Sequence, residues 1–177
     1  MLLERILQVK SECKLVCIYS NAENTDIFSV GYIQQADEDK VLIASVNKQG
    51  RYDGYLVKKT DDIFLLEWNN QYTKKLTALN DNKFQHKPIP YLDENILRSI
   101  LYFAKSEHLI VSVQLLGSNI VDMQGYVLDI NEEQLSVLCV DDMGNNDGQA
   151  ICCLKDITTL SCDGEDEKII SQLKKPN

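Results

Sequence analysis

The chain has few of the residues and segments that mark a membrane protein, a secreted protein or an enzyme. Its 177 residues include only two histidines, three prolines and one tryptophan. No apolar run approaches the roughly 20 residues that a membrane-spanning helix needs. The first five residues also lack the basic start and long apolar core of a signal peptide. These absences predict a cytoplasmic protein that makes no membrane contact.

Motifs for catalysis and cofactor binding are missing as well. His86 lies in a polar stretch and His108 follows a predicted helix, and no P-loop, G-x-S-x-G or H-E-x-x-H pattern surrounds either histidine. A Cys–His pair such as Cys13 with His108 stays open, because a nucleophile and its base need only meet in space. We therefore expect a protein that is not an enzyme, with no catalytic residues and no cofactor.

The six cysteines and the acidic residues do not form a recognisable metal site. The cysteine spacings include a vicinal pair and a C-x-x-x-C, and neither is typical of zinc or thioredoxin-like sites. We expect reduced thiols, some of them packed as small hydrophobes. The acidic block at residues 163–167 lacks the alternating ligands of a calcium loop and is expected to be a solvated hairpin or loop.

What the chain does contain is an internal repeat. Residues 31–79 align with residues 125–173 at a constant offset of 94, without a gap. Six of the eight glycines form aligned pairs: Gly31 with Gly125, Gly50 with Gly144, and Gly54 with Gly148. Because glycines are placed by the needs of the backbone, these pairs indicate a duplicated module. We predict a first unit at 1–80, a connector at 81–91 and a second unit at 92–177.

Each copy is predicted to begin with an amphipathic helix and to continue with five short strands. A helical spacing of apolar residues follows a candidate N-cap at Asp93 and recurs in shorter form at the start of the chain. Alternation then replaces helical spacing, as at Phe28, Val30 and Tyr32. Five short antiparallel strands behind a helix predict a small barrel, since closing the sheet hides the strand edges.

The residues of these strands resemble a known family. The pattern consists of Gly31-Tyr32-Ile33, Asp37, Val41-Leu42-Ile43, Gly54-Tyr55-Leu56-Val57 and Asp62-Ile63-Phe64-Leu65-Leu66. It resembles the Sm-like barrel, particularly the bacterial Hfq type, in which a glycine bends the second strand and an aspartate opens the next turn. The resemblance covers both copies. It implies a mainly β protein of two tandem Sm-like or SH3-like five-stranded antiparallel barrels, each preceded by an α-helix, in a bacterial cytoplasm.

The two copies differ in charge and in aromatic content. Residues 1–90 hold 12 basic and 12 acidic residues, whereas residues 91–177 hold 6 and 15, so the net charge of −9 belongs to the second half. The family's RNA-contacting pair corresponds to Lys58-Lys59 in the first copy and to Cys152-Cys153 in the second. Seven cations or aromatics of the first copy are exchanged in the second: Lys48, Arg51, Tyr52, Tyr55, Lys58, Lys59 and Trp68.

Two functions remain open from these differences. The first is a protein-interaction or assembly module that uses the acidic second barrel or an exposed strand edge to bind an unknown protein partner. The second is a regulator that binds single-stranded RNA through the seven cations and aromatics, since phosphates need charge and bases need flat faces. Those side chains would otherwise be half-buried barrel residues and edge-protecting lysines. Homo-oligomers could form through open barrel edges.

Overall fold

The computed structural model describes residues 2–24, 26–80, 89, 95–116, 118 and 120–173. Its contacts divide the chain into two compact units, Met1–Lys87 and Pro88–Asn177. The first unit contains α1 (Leu2–Ser11), β1 (Leu15–Tyr19), β2 (Ser29–Ala36), β3 (Lys40–Val46), β4 (Tyr52–Lys59), β5 (Leu65–Trp68) and α2 (Gln71–Asn80). The second contains α3 (Ile96–Ser106), β6 (Ile110–Leu115), β7 (Met123–Ile130), β8 (Gln134–Val140), β9 (Asn146–Cys153), a short 3-10 helix (Leu154–Asp156), β10 (Ile157–Cys162) and α4 (Glu165–Leu173).

The five strands of each unit pair in the same order. The order is β5-β1-β2-β3-β4 in the first unit and β10-β6-β7-β8-β9 in the second, with antiparallel neighbours throughout. The registers also correspond, since Leu15 lies opposite Tyr32 as Ile110 lies opposite Tyr126. The prediction of a mainly β protein is therefore confirmed, while closure of each sheet into a barrel stays a prediction.

Each face of the first sheet packs against a different helix. Ile6 and Val9 of α1 join a buried cluster on one face that includes Val16, Ile33 and Ile43. On the other face, Leu76 of α2 packs with Leu15, Val30 and Val46. The second unit repeats this second layer with Ile170 of α4 against Ile110 and Val140. Burying apolar side chains on both faces explains why the strands read as nearly continuous apolar runs.

The paired glycines Gly31 and Gly125 are needed where two strands approach closely. A methyl group at Gly31 would overlap the carbonyl oxygen of Ala44 on the neighbouring strand, and one at Gly125 would overlap that of Leu138. Both contacts are with backbone atoms, which cannot move aside as a flexible side chain would. The same close approach in both copies explains why this glycine pair was visible in the sequence repeat.

Among the residues that the structure describes, four other than glycine adopt left-handed backbone conformations, and they also form two matched pairs. Cys13 and His108 have φ values of 49° and 54° at the ends of α1 and α3. Hydrogen bonds from Lys14 N to Val9 O and from Leu109 N to Ala104 O close these helix ends in the same way. Cys13 and His108, the candidate Cys–His pair, therefore occupy equivalent helix-ending positions in the two units.

The helices at the end of each unit correct the sequence-based description, which predicted only a helix before the strands. The acidic block is not a solvated loop, because α4 begins at Glu165 and Glu167 is only 7% exposed. Glu167 accepts hydrogen bonds from Ser112 Oγ at 2.8 Å, Ser161 Oγ at 2.6 Å and Gly164 N at 3.0 Å. Carboxylates at the start of a helix are favoured by unpaired N–H groups, so the block starts a helix.

The start of α3 and the connector are only partly described. Asn95 is the N-cap of α3, and its side chain accepts a hydrogen bond from Arg98 N at 2.9 Å. The predicted cap Asp93 lies outside the described residues, as do most residues of the predicted connector, including His86. Among the helices that the structure describes, none is long and apolar enough to cross a membrane.

Candidate functional site

Four of the seven candidate RNA-binding residues lie at one end of β4. Lys48 and Arg51 are exposed in the loop between β3 and β4, and Asn47 Oδ1 organises this loop by accepting a hydrogen bond from Arg51 N at 3.0 Å. Tyr52 and Tyr55 follow on β4 with ring centroids 5.5 Å apart. Tyr55 is only 1% exposed, so its ring belongs to the packed interior and has no face open to a base.

The other three candidates lie elsewhere in the first unit. Lys58 and Lys59 end β4, about 20 Å and about 23 Å along the strand from Tyr52 at a rise of about 3.3 Å per residue. Burial lowers the pKa of Lys58, and the nearby Asp62 carboxylate opposes this effect. Trp68 is on β5, opposite Val16 of β1, at the other end of the strand order. The structure therefore brings Tyr52 and Tyr55 together and places the two lysines and the tryptophan apart from them.

A more compact group of apolar side chains, three of them exposed and three partly buried, lies on the first unit around the start of β5. We call it the aromatic patch, and it consists of Tyr19, Ile27, Phe28, Phe64, Leu65 and Tyr72. Tyr19 is central, with ring centroids 5.0 Å from Phe28 and 6.4 Å from Phe64. Phe28 also meets Tyr72 of α2 edge-on at 5.5 Å. The rings come from β1, from the segments just before β2 and β5, and from α2, and together they form a continuous set.

Much of the aromatic patch faces solvent. Ile27 is 56% exposed, Phe64 is 48% exposed and Leu65 is 42% exposed. Single exposed apolar residues are ordinary on protein surfaces, whereas adjoining ones beside a set of packed rings are typical of binding surfaces. Trp68 is not part of the patch, because it lies three residues beyond Leu65 and on the other face of β5.

The second unit has no counterpart of the aromatic patch. Equivalent positions follow from the strand registers and helix starts. They hold Gln114 for Tyr19, Val121 for Ile27, Asp122 for Phe28, Thr158 for Phe64, Thr159 for Leu65 and Asp166 for Tyr72. Since the second unit has the same strand order with polar residues at five of these six positions, the fold does not require the aromatic side chains.

Strand β5 beside the aromatic patch is hydrogen-bonded on one side only among the described residues. Its four residues pair with β1, and β5 ends the strand order of its unit. Glu67 is the only charged residue of β5, and its carboxylate accepts a hydrogen bond from the Tyr19 hydroxyl at 2.7 Å. This hydrogen bond raises the pKa of Tyr19 to about 12, so the phenol stays protonated at neutral pH. The β5 edge is therefore open, apolar and weakly charged.

The sequence held only part of the signal for this site. Phe64 and Tyr72 lie within the aligned repeat, where their exchange for Thr158 and Asp166 was visible. Tyr19 and Phe28 lie before the aligned segment, where the connection between the first two strands is two residues shorter in the second copy. Their contact with each other and with α2 depends on strand pairing and on a helix that the sequence reading did not predict.

The second unit has its own open strand, β9, and an apolar cleft. Strand β9 pairs only with β8 among the described residues, and its Ile151 is 67% exposed. A cleft of about 580 Å³ lies between the end of α3 and strands β7 and β8, with apolar walls that include Tyr126, Leu128 and Leu138. Lys105, His108 and Tyr126 are its titratable residues, and no cysteine, serine or carboxylate lines it.

The described cysteines are all free thiols, and the buried ones are poor nucleophiles. Burial raises the pKa of Cys17 and of Cys152 to about 11, and it also raises the pKa of Cys139 and Cys162. Since the thiolate is the reactive species, such thiols are almost fully protonated at neutral pH. Within the described ranges, no group of three or more histidine, cysteine, aspartate or glutamate side chains is arranged to hold a metal ion.

Comparison with known proteins does not assign the chain to a family. No protein-family model matches it, no curated protein matches it, and no solved structure matches it.

Proposed function

We propose that this chain is a non-enzymatic binding or adaptor protein built from two Sm-like barrels, and that the aromatic patch of the first unit binds a protein partner. The observation that carries the proposal is the difference between the copies at the patch. At five of the six patch positions the second unit, with the same strand order, has a polar residue, and the exception is the exposed Val121 in place of Ile27.

The physical argument is that exposed apolar surface is unfavourable in water and gains free energy when a partner covers it. Removing apolar area from water contributes about 25 cal/mol per Å². Aromatic side chains are also the commonest anchors at the centres of protein interfaces, where they fill pockets of the partner. Phe64 provides such an anchor, Ile27 and Leu65 add exposed apolar surface beside it, and Tyr19 and Tyr72 extend the set of rings.

Two features support the Sm-like part of the proposal. Each unit has a helix followed by a five-stranded antiparallel meander, and the fifth strand returns to pair with the first strand. In each unit, a glycine of the second strand lies against the backbone of the third. Such a return of the last strand beside the first is the step that closes a short meander towards a barrel.

The test is selection from a random peptide library displayed on phage, with the purified chain as bait. We compare the parent with a variant in which Phe64→Thr and Leu65→Thr reproduce the residues of the second unit, Thr158 and Thr159. Threonine suits strands, so the variant is expected to fold. We expect related peptides to be enriched on the parent and lost on this variant.

The matched control removes an exposed apolar side chain from the other open strand by Ile151→Thr. Peptides enriched on the parent should remain enriched on this control. Absence of any enrichment on the parent, or equal enrichment on the Phe64→Thr, Leu65→Thr variant, would overturn the proposed role of the patch. Light scattering of the parent alone shows in the same preparation whether the chain also forms homo-oligomers.

A second function, binding of single-stranded RNA, is favoured by one observation. Lys48 and Arg51 are exposed on the loop beside Tyr52, whereas the second unit has Asp142, Asn145 and Asn146 there. Binding through phosphates should weaken steeply as salt rises, because counterions are released. Titration with an RNA pool at low and moderate salt tests this, and no binding by the parent at low salt rejects it.

A further inference from the structure

We propose that the partner of the aromatic patch binds as an added β-strand along β5, and that it is an extended segment with alternating apolar residues and basic flanks. This inference rests on the proposed function, and it adds the binding mode and the chemistry of the partner. Strand addition supplies backbone hydrogen bonds along the open edge, while alternate side chains contact the surface beside it.

The first observation is that β5 lacks several of the usual protections of an open strand. Natural edge strands carry lysine, proline or a bulge that prevents pairing with another chain. Residues Leu65–Trp68 contain no lysine and no proline, and their register with β1 runs without a bulge. Two protective features remain: β5 has only four residues, and Glu67 is charged, although its carboxylate is held by a hydrogen bond from the Tyr19 hydroxyl at 2.7 Å. The backbone of β5 is therefore available to an incoming strand.

The second observation is the position of the patch relative to β5. Leu65 begins the strand and lies opposite Tyr19 in the β1 register, so the two side chains share one face. Phe64 directly precedes the strand, and its backbone N–H is bonded to the Tyr19 carbonyl at 3.1 Å. A strand added beside Leu65 would place every second side chain on this face, where it would meet Leu65 and the neighbouring rings.

The third observation is the charge around the patch. Asp61 and Asp62 are exposed directly before Ile63 and Phe64, and Asp26 is exposed directly before Ile27. Two cations lie near these acids and the patch: Lys75 lies one helical turn after Tyr72 on α2, and Lys58 lies near the Asp62 carboxylate. Acidic groups therefore border the patch on two of its segments. Lysine or arginine residues that flank the apolar part of the partner would be attracted to these acids.

A second copy of the chain fits this surface less well than a basic segment does. Its own open strand, β9, begins with Asn146, Asp147, Gly148 and Gln149, which are all exposed. Asp141 and Asp142 lie just before that strand. Placing them near Asp61 and Asp62 would bring like charges together, which is unfavourable. The charge and polarity of β9 therefore favour a different protein as the partner.

The experiment uses a synthetic peptide in which valine alternates with threonine and lysine, titrated into the full chain. Binding is followed by the fluorescence of Trp68, the only tryptophan, which ends β5. A second peptide carries N-methyl groups at the alternate amides of one edge, so it keeps its side chains but loses the strand hydrogen bonds. A third peptide has the same composition with apolar residues at helical spacing. We expect the first peptide to bind and the other two to bind at least about tenfold more weakly, since several hydrogen bonds of about 1 kcal/mol each are lost.

Each outcome separates the inference from the proposed function. Equal binding of the unmodified and N-methylated peptides, or preferred binding of the helically spaced one, would overturn strand addition while the patch still binds protein. No binding of the alternating peptide also rejects strand addition, and the phage selection then decides the proposed function by itself. Binding that persists in the Phe64→Thr, Leu65→Thr variant would place the peptide elsewhere. Formation of dimers in light scattering without peptide would identify a second copy as the occupant instead.

Discussion

Replacing Glu167 by alanine should destabilise the second unit strongly, because this carboxylate joins the start of α4 to two strands. It accepts hydrogen bonds from the hydroxyls of Ser112 on β6 and Ser161 on β10, and from the N–H of Gly164. Alanine removes the acceptor from all three donors at once. Glu167 is buried, so water cannot readily replace it.

The expected size follows from those contacts. A hydrogen bond to a charged group is worth about 1.5–3 kcal/mol, and a buried donor left without an acceptor costs about 1–3 kcal/mol. Ser112 keeps one partner, since Gln124 Nε2 donates to its hydroxyl oxygen at 2.8 Å. Three donors at the lower end of these ranges give a loss of about 3–5 kcal/mol in the free energy of unfolding of the second unit.

Hydrogen exchange measured by mass spectrometry is the appropriate assay, because the single tryptophan lies in the first unit. Amides of β6, β10 and α4 should exchange much faster in Glu167→Ala, while those of the first unit stay unchanged. Thr73→Ala is the matched control, since Thr73 holds the equivalent place in α2 and its hydroxyl donates to the Asn70 carbonyl at 3.2 Å. We expect that control to cost about 1 kcal/mol. A loss below about 1 kcal/mol for Glu167→Ala would refute the assigned role of the carboxylate.

Three further predictions follow from particular residues. Gly125→Ala should lower the stability of the second unit by about 3 kcal/mol or more, because the added methyl group would overlap the Leu138 carbonyl oxygen. In Gly148→Ala the added methyl group meets no atom within 4 Å, but the backbone keeps a φ of 91°, so this variant should lose about 1–2 kcal/mol. Calorimetry compares the two variants. Iodoacetamide at pH 8 should modify the exposed Cys13 before the buried Cys17 and Cys162, as peptide mass spectrometry would show; early modification of Cys17 would contradict its burial. The pKa of Tyr19 is raised above the ordinary 10, so its contact with Glu67 stabilises the first unit below about pH 10, and this stabilisation is lost as pH rises through about 12. In a spectrophotometric tyrosine titration, Glu67→Gln should bring the pKa of Tyr19 back towards 10. An unchanged titration would contradict the contact between Tyr19 and Glu67.

The sequence predicted the repeated strands because their signals are local. Gly31 and Gly125 are each required by the close approach of a neighbouring strand within their own unit. The apolar runs of β3 and β8 likewise reflect burial within one unit. Strand alternation and glycine position need no knowledge of the tertiary contacts. These are the parts of the fold that a duplicated sequence reveals directly.

The helices α2 and α4 were missed because their sequences look like turns. Asn69-Asn70 directly precede α2 and Asp163-Gly164 directly precede α4, and these residues favour loops as readily as helix starts. Each helix buries only a few side chains, such as Leu76 and Ile170, so the helical spacing of apolar residues is weak. Packing against the strands, rather than local propensity, stabilises these helices.

The aromatic patch could not be predicted for a related reason. Tyr19, Phe28, Phe64 and Tyr72 are far apart in the chain, and pairing of β1 with β2 and β5 brings them together next to α2. The seven candidate RNA-binding residues were selected by residue type. In the structure they are divided among the loop between β3 and β4, strand β4 and strand β5. They stay candidates for RNA, while the patch is the larger exposed apolar group on the first unit.

The most direct test of the central claim is a hydrogen-exchange footprint of the full chain with a peptide enriched in the phage selection. We expect protection at residues 64–68 and in the segment containing Ile27 and Phe28, with no protection of β9. Protection confined to residues 146–153, or to the loop that carries Lys48 and Arg51, would contradict the assignment of the aromatic patch as the partner-binding surface.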